Sequence, residues 1–330
     1  MPNWTVNNIP RQTEKLAVVT GATGGLGFEA ALGLAQAGAE VVLAGRNREK
    51  GHIALERIMH TLPAAKAGFE LLDLASLMSV RAFAEKMIAR GKPLDLLINN
   101  AGVMDLPARW LTKDGFEMQF GTNHLSHFAL TGLLLPLLRS ARSGRVVNVS
   151  SLAHRGGKIE FDNLQAERSY KSWSAYQQSK LANLLFTFEL QRRSDTHGWG
   201  LMSNAAHPGY SRTDLIANGP GTKGVLGMLS KILRPLSHSA ADGALPTLFA
   251  ATSVEAERMG YYGPKGFYEL KGPVAPAYVA PQARDETSAR KLWEVSEKLT
   301  GVECPGMERG DTSSRRGDGY STPRATSEGR

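Results

Sequence analysis

Thr20 to Gly27 read TGATGGLG, directly after the apolar run Leu16-Ala17-Val18-Val19 and directly before the alanine-rich, helix-like stretch Phe28–Ala37. A strand that runs into glycines and then into a helix N-terminus is a device for holding a diphosphate. The glycines let the backbone approach, and the helix's unpaired N–H groups and dipole attract negative charge. Within the stretch, Gly25-Leu26-Gly27-Phe28-Glu29-Ala30 fits the dinucleotide pattern G-x-G-x-x-A.

Outward from that loop the chain alternates strand and helix. Short apolar runs at Ala17–Thr20, Val41–Ala44, Phe69–Leu72, Leu94–Ile98, Val146–Ser150 and Leu201–Ala206 read as strands, with a seventh near Tyr261-Tyr262. Most lack polar alternation, as strands covered on both faces do. Helical patterns at Phe28–Ala37, Arg48–His60, Leu77–Arg90, Gly115–Leu138 and Ala175–Arg192 separate them. This order predicts an α/β fold, a single doubly wound parallel sheet of about seven strands with helices on both faces. The expected organisation is an extension over 1–14, one domain over 15–303 with a lid near 210–238, and a tail over 304–330. Cys304 to Arg330 is rich in Gly, Ser, Thr and Arg, a composition too poor in apolar groups to fold.

Composition sets limits. The 330 residues are 42% hydrophobic and 21% charged, ordinary for a globular protein. The net charge of +8 is dispersed, with no basic block longer than Arg315-Arg316, so nucleic acid is not an expected partner. Cys304 is the single cysteine, which excludes an internal disulfide and a cysteine-based zinc site and suits a reducing cytoplasm. MPNWTVNNIPRQTEK lacks the apolar core of a signal peptide. The greasiest stretch, Leu125 to Leu138, is too short and too polar to span a bilayer and reads as a buried helix.

In a doubly wound sheet, ligands sit beyond the C-terminal ends of the strands. Gly45-Arg46 follows the second strand, where an NAD-preferring protein would usually place a carboxylate. A guanidinium can clasp a ribose 2′-phosphate instead, which predicts NADP(H) over NAD(H). Asp73 follows the third strand and can accept from an adenine amine or cap the next helix. Asn99-Asn100-Ala101-Gly102 follows the fourth, a small, permissive turn beside the cofactor.

Tyr176 and Lys180 stand four residues apart on one predicted helix, with Ser172 or Ser174 as candidate caps. An ammonium stacked on a phenol stabilises the phenolate, lowering the tyrosine from its usual value of about 10 toward the range of a general acid or base. Val146–Ser151 supplies a strand ending in Ser150-Ser151, whose hydroxyl can hold a substrate oxygen.

Taken in order, TGATGGLG, NNAG, VVNVSS, YQQSK and HPGYSRT make the chain resemble the short-chain dehydrogenase/reductase family across roughly residues 12–290. Asn123-His124-Leu125-Ser126-His127-Phe128, Gly157-Lys158-Ile159, Asp162-Asn163-Leu164-Gln165 and Ser179-Lys180-Leu181-Ala182-Asn183 resemble its retinol dehydrogenase branch, which includes the WW-domain oxidoreductases and lies near the protochlorophyllide reductases. The resemblance implies a Rossmann-type fold and a set of roles. Tyr176 would exchange a proton with the substrate oxygen. Lys180 would lower the tyrosine and hold the nicotinamide ribose. Ser151, rather than Ser150, would orient the carbonyl, and Asn123 would hold a water linking Lys180 to solvent. Gly21, Gly25 and Gly27, with Thr23 and Leu26 between them, would form the dinucleotide loop. Asp73 and Leu74, Asn100, Ala101 and Gly102, and Pro208, Gly209 and Thr213 complete the cofactor candidates.

His124 and His127 are one turn apart, yet neither HExxH nor a nearby cysteine accompanies them, so both read as packing histidines and no metal is expected. In the segment Tyr210 to His238, Val225, Met228, Leu229, Ile232 and Leu233 fall at helical spacing. An apolar lid suggests a lipophilic or bulky ketone, aldehyde or alcohol and, with basic flanks, peripheral membrane contact. The expected activity is carbonyl–alcohol interconversion. Reduction of a conjugated C=C bond and a non-catalytic dinucleotide sensor are the alternatives. A homodimer through the helices that include Leu125–Leu138 and Ala175–Arg192 is a further expectation from the family.

Overall fold

The computed structural model describes residues 3–210 and 238–304. One eight-stranded sheet organises them, in the order β3-β2-β1-β4-β5-β6-β7-β8. Its strands are β1 Leu16–Thr20, β2 Glu40–Gly45, β3 Ala67–Leu71, β4 Leu96–Asn99, β5 Arg145–Val149, β6 Met202–Ala206, β7 Tyr261–Pro264 and β8 Val274–Pro276. The first seven run parallel, and β8 returns antiparallel along β7. The expected doubly wound α/β sheet is present with one strand more than read. β8 is a three-residue edge strand ending in Pro276, too short and too proline-marked to register as an apolar run.

Covering on both faces explains why the strands carry no polar alternation. Leu16, Val18, Val42, Leu97 and Val146 pack against Val80, Phe83 and Met87 on one side. Their neighbours Ala17, Val19, Val41, Leu43, Leu96, Ile98 and Val147 meet Phe28, Leu34, Leu248 and Phe249 on the other. Each of β1, β2, β4 and β5 therefore feeds two cores.

The helices are α1 Gly25–Gln36, α2 Arg48–Thr61, α3 Leu77–Ala89, α4 Ser126–Ser140, α5 Ser172–His197, α6 Ala240–Thr252 and α7 Glu286–Thr300. The predicted helix from Gly115 starts later and in pieces. An isolated bridge from Leu111 to Glu117 holds the turn before it, then Met118–Phe120 makes a single turn. Gly121–Leu125 follows as a π-helical turn before α4. Such bulges are concentrated at functional sites. α5 is longer than its apolar stripe suggested, because Glu189 accepts from both Arg192 and Arg193 and supports its polar end before Gly198 stops it at φ 63°. Neither serine caps α5: Lys171 holds that position and the Ser172 hydroxyl bonds Asp105.

Around the N-terminal segment, Trp4 lies edge-on to Phe249, with centroids 5.4 Å apart. At the other end Cys304 is buried within the core that includes Val302, so the ordered body includes the first residue of the predicted tail. Residues 305–330, and 211–237 of the predicted lid, lie outside the described residues. Among those described, no helix is long and apolar enough to cross a membrane.

β1 and β4 are neighbours although β2 and β3 intervene in sequence. Chain connections diverge at this pair, so a crevice opens beyond their C-terminal ends. TGATGGLG and NNAG both occupy it.

Candidate active site

The glycine loop is shaped by contact. Gly21 and Gly25 take φ of 67° and 53°, the left-handed region that side chains resist. At Gly27 a methyl group would run into the Gly21 carbonyl and the Asn100 amide nitrogen. Gly24 stands at the N-cap of α1 without a side chain to cover the helix end. The first-turn N–H groups of Gly25, Leu26 and Gly27 are thus presented to a negative ligand. Thr23 leans over Gly45, where no Cβ obstructs it. Next to Gly45, Arg46 is exposed and has no hydrogen-bond or ion-pair partner among the described residues. Asn47 supplies the cap of α2, leaving that guanidinium to the rim.

At the end of β3 the two readings of Asp73 separate. The cap of α3 is Ser76, not Asp73. Asp73 accepts from its own turn at Ala75 and pairs with Lys113 at 3.1 Å. Leu74 is buried beside it, its carbonyl accepting from Ser126. This places Asp73 at the rim and Leu74 in the floor of that corner.

The NNAG turn hangs from Thr20. Asn100 and Ala101 donate their backbone N–H groups to the Thr20 hydroxyl oxygen at 2.9 and 3.0 Å, and the Asn100 side chain donates to the Thr20 carbonyl at 2.8 Å. Gly102 then passes close to both Asn123 Oδ1 and Lys180 Nζ. The NNAG turn and α5 meet there.

Tyr176 and Lys180 share the buried face of α5, as their spacing predicted, with the ammonium nitrogen 5.7 Å from the phenol ring centroid. Lys180 donates to the carbonyl of Val149 at the end of β5, at 3.1 Å, and Asn183 donates to the same oxygen. Ser150 and Ser151 divide their work. The Ser150 hydroxyl is buried and donates to the Lys180 carbonyl at 2.8 Å, so it is structural. Ser151 caps the 3-10 turn Leu152–Gly156 and faces Tyr176. Gly157 lets that turn lie directly on the backbone of Gln177, which brings Ser151 to the phenol.

The electrostatics depart from the sequence expectation. Burial pushes Tyr176 up to about 12, and a hydrogen bond involving Ser151 only partly opposes it. Burial also brings Lys180 down to about 8. Spacing gave the pair its proximity, but desolvation of the phenolate dominates the shift, and what opposes it is the Ser151 hydrogen bond. The tyrosine is a protonated acid at neutral pH.

Asn123 sits in the π-helical turn, and its amide is fully engaged. It donates to the Val103 carbonyl and to Ser179, both at 2.9 Å, and accepts from the Val103 N–H at 2.8 Å. A water link to Lys180 would have to use its backbone carbonyl. Ser179 in turn donates to the Tyr176 carbonyl, so Asn123 braces α5. Pro208 and Gly209 follow β6, and Gly209 has φ 66° against the Leu270 carbonyl. Tyr210 and His238, at the two ends of the undescribed stretch, are hydrogen-bonded to each other at 3.2 Å. Thr213 lies outside the described residues.

Several groups at the site escaped the sequence reading. Tyr261 directs its hydroxyl to the Ser151 carbonyl at 3.4 Å and feels Tyr176 electrostatically. His154 bonds the same carbonyl at 2.7 Å. Behind them buried His207 and Arg155 both bind Glu269, at 3.1 and 2.6 Å. Trp173 lies 5.5 Å from Tyr176, ring to ring, and is 47% exposed at the mouth. Trp173 had a local signal, being one helical turn before Tyr176, and His154 and Arg155 follow Ser151 directly; Tyr261, His207 and Glu269 come from distant segments. His124 and His127 diverge. The first meets Ser296 among Phe120, Phe128 and Phe186, and the second meets Thr20.

Residues 15–222 match the family model described as short chain dehydrogenase. Retinol dehydrogenase 13 of Homo sapiens is 44% identical over 299 residues, 89% of this chain and 86% of that protein. A solved structure from Mycobacterium paratuberculosis is 41% identical with a TM-score of 0.77, over 92% of this chain and 99% of its own. A short chain dehydrogenase from Shigella flexneri 2a, solved with NADP, is 25% identical with a TM-score of 0.59, over 77% of this chain and 98% of its own.

Proposed function

This chain belongs to the short-chain dehydrogenase family, oxidoreductases acting on CH–OH and C=O groups, and from that premise we propose that it interconverts a lipophilic ketone or aldehyde and its alcohol, using NADP(H) and Tyr176. The observation that carries the reading is convergence. A serine hydroxyl faces a buried phenol, a buried ammonium stands 5.7 Å from that phenol's ring, and the same ammonium comes close to Gly102, where the coenzyme turn ends.

The residues of the crevice fit a phosphorylated dinucleotide. The α1 N-terminus and the Cβ-free cradle at Gly21 and Gly27 would hold the diphosphate. Arg46 would meet the 2′-phosphate with a guanidinium that no described carboxylate occupies. Thr23 and Leu26 would line the loop, Asp73 and Leu74 the adenine corner, Asn100 and Ala101 the ribose, and Pro208 and Gly209 the nicotinamide end. When bound, NADP(H) supplies or accepts the hydride. The Shigella relative, solved with NADP, supports this coenzyme.

The protein's own part is proton management. Ser151 holds the substrate oxygen and orients it toward Tyr176. In reduction the Tyr176 hydroxyl delivers its proton to that oxygen, and in oxidation the phenolate receives it. A phenol at about 12 keeps its proton through neutral pH, which suits the acid role. Lys180, held at Val149, offsets the charge when the proton leaves. Trp173 gives the mouth an aromatic wall, and retinol in the name of a 44% identical relative is a lipophilic alcohol. Both observations favour an apolar substrate.

NADPH oxidation against lipophilic ketones, aldehydes and conjugated enones, with NADH in parallel, tests the reading. Turnover of the ketones or aldehydes to alcohols with NADPH supports it. Reduction confined to the enone C=C bond overturns it.

A further inference from the structure

His127 is not a packing residue, because both of its ring nitrogens are engaged and their partners fix its tautomer. Nδ1 lies 3.0 Å from the Asn123 carbonyl, which can only accept, so Nδ1 carries the hydrogen. Nε2 is therefore the lone-pair side, and Thr20, 2.9 Å away, must donate its hydroxyl hydrogen to it. That orientation turns the Thr20 oxygen's lone pairs toward the N–H groups of Asn100 and Ala101. The alternative acceptor for the hydroxyl, the Ile98 carbonyl, is 3.4 Å away. Every member of the chain lies in the interior or at the crevice floor, where an unmatched donor or acceptor is costly.

We propose that His127 is a positioning residue with two separable duties. One ring edge sets the coenzyme turn through Thr20, and the other sets the Asn123 turn that braces the catalytic helix. The second path runs from His127 to the Asn123 carbonyl, from the Asn123 amide to Ser179, and from Ser179 to the Tyr176 carbonyl. A π-helical turn leaves its backbone bonds irregular, and the imidazole donates to one lone pair of the Asn123 carbonyl within it. Burial and the nearby Lys180 hold the ring neutral, down to about 4, so the single-proton tautomer persists across the physiological range. The inference rests on the assignment of the crevice to NADP(H) and of Tyr176 to proton transfer.

Two substitutions divide the ring. In His127→Asn the amide nitrogen keeps the donor at the Nδ1 position and loses the acceptor for Thr20. In His127→Gln the longer side chain keeps an oxygen at the Nε2 position and loses the donor to Asn123. NADPH dissociation constants come from fluorescence titration, without turnover, and kcat from the wild-type substrate at saturating NADPH. With His127→Asn the larger loss falls on NADPH affinity, about tenfold, the size of one lost buried hydrogen bond. With His127→Gln the larger loss falls on kcat, by a similar factor. Opposite splits support the proposal. Equal losses in both quantities that track melting temperature, or no loss in either, overturn it. Repeating the titration in a Tyr176→Phe background keeps the two readings apart. If that background still turns over while the affinity split persists, the proton-transfer assignment fails and the coenzyme-side duty of His127 stands. If the split vanishes in both backgrounds, the positioning role fails.

Discussion

The two walls of the crevice are built differently. The proposed coenzyme wall consists of turns that follow strands, TGATGGLG after β1, Gly45-Arg46 after β2 and NNAG after β4. Each is a few residues whose shape is set by glycine and by bonds to the adjacent strand. The proposed substrate wall is assembled from afar: Ser151 meets Tyr261 across 110 residues, and Arg155 reaches Glu269 across 114. A wall made of local turns writes itself into sequence motifs. A wall made of distant side chains leaves no such mark, and its residues become visible only when the sheet brings strand ends together.

If that contrast is right, the coenzyme wall should break at single backbone positions. Gly27→Ala forces the loop away from Asn100 and the Gly21 carbonyl, and should weaken NADPH binding on the order of a hundredfold, about 2–3 kcal/mol, in a fluorescence titration. Near-wild-type affinity would mean that the loop does not carry the coenzyme. Arg46→Asp should cost NADPH affinity about tenfold to a hundredfold while sparing NADH, because only the 2′-phosphate meets the new carboxylate. Equal losses would remove the proposed contact.

The substrate wall and the helix bundle behind it should instead respond to pH and to side-chain bulk. Burial holds His124 near 3 and both His127 and His154 near 4, against a usual 6.5. The unfolded chain binds these protons first as pH falls, so stability is full above about 6.5 and declines as pH falls toward 4. Each imidazole contributes up to about 1.4 kcal/mol per pH unit within that window. Melting temperatures between pH 7 and 4.5 check this, and a flat profile would show that the rings are accessible and titrate normally. The smallest effect expected is at the mouth. Trp173→Ala should raise KM for a bulky apolar carbonyl several-fold with little change for a small one, since it removes an aromatic face beside Tyr176 and no polar bond. A uniform change for both substrates would place Trp173 outside the substrate path.

Much of the fold was legible. Seven of the eight strands follow from runs such as Leu16-Ala17-Val18-Val19, in which every residue is apolar because each face feeds a core. β8 was missed because three residues ending in proline carry no periodicity. Within the site, spacing placed Tyr176 beside Lys180 but could not price their burial, and it gave the phenol the wrong direction of shift. His127 was read as packing for a similar reason: the sequence shows that it is one turn from His124, not that its far nitrogen lands on Thr20, 107 residues away. Thr20 itself stood in the first motif quoted, unnoticed because its task is to hold the NNAG turn rather than a ligand.

The central claim is that the Tyr176 hydroxyl is the proton carrier. Tyr176→Phe removes one oxygen from a buried ring and leaves Lys180 bonded to Val149. Steady-state turnover and NADPH titration on that variant should show kcat reduced by at least about a thousandfold, with NADPH affinity within about threefold of wild type. Turnover within tenfold of wild type, with the coenzyme still bound, would contradict it.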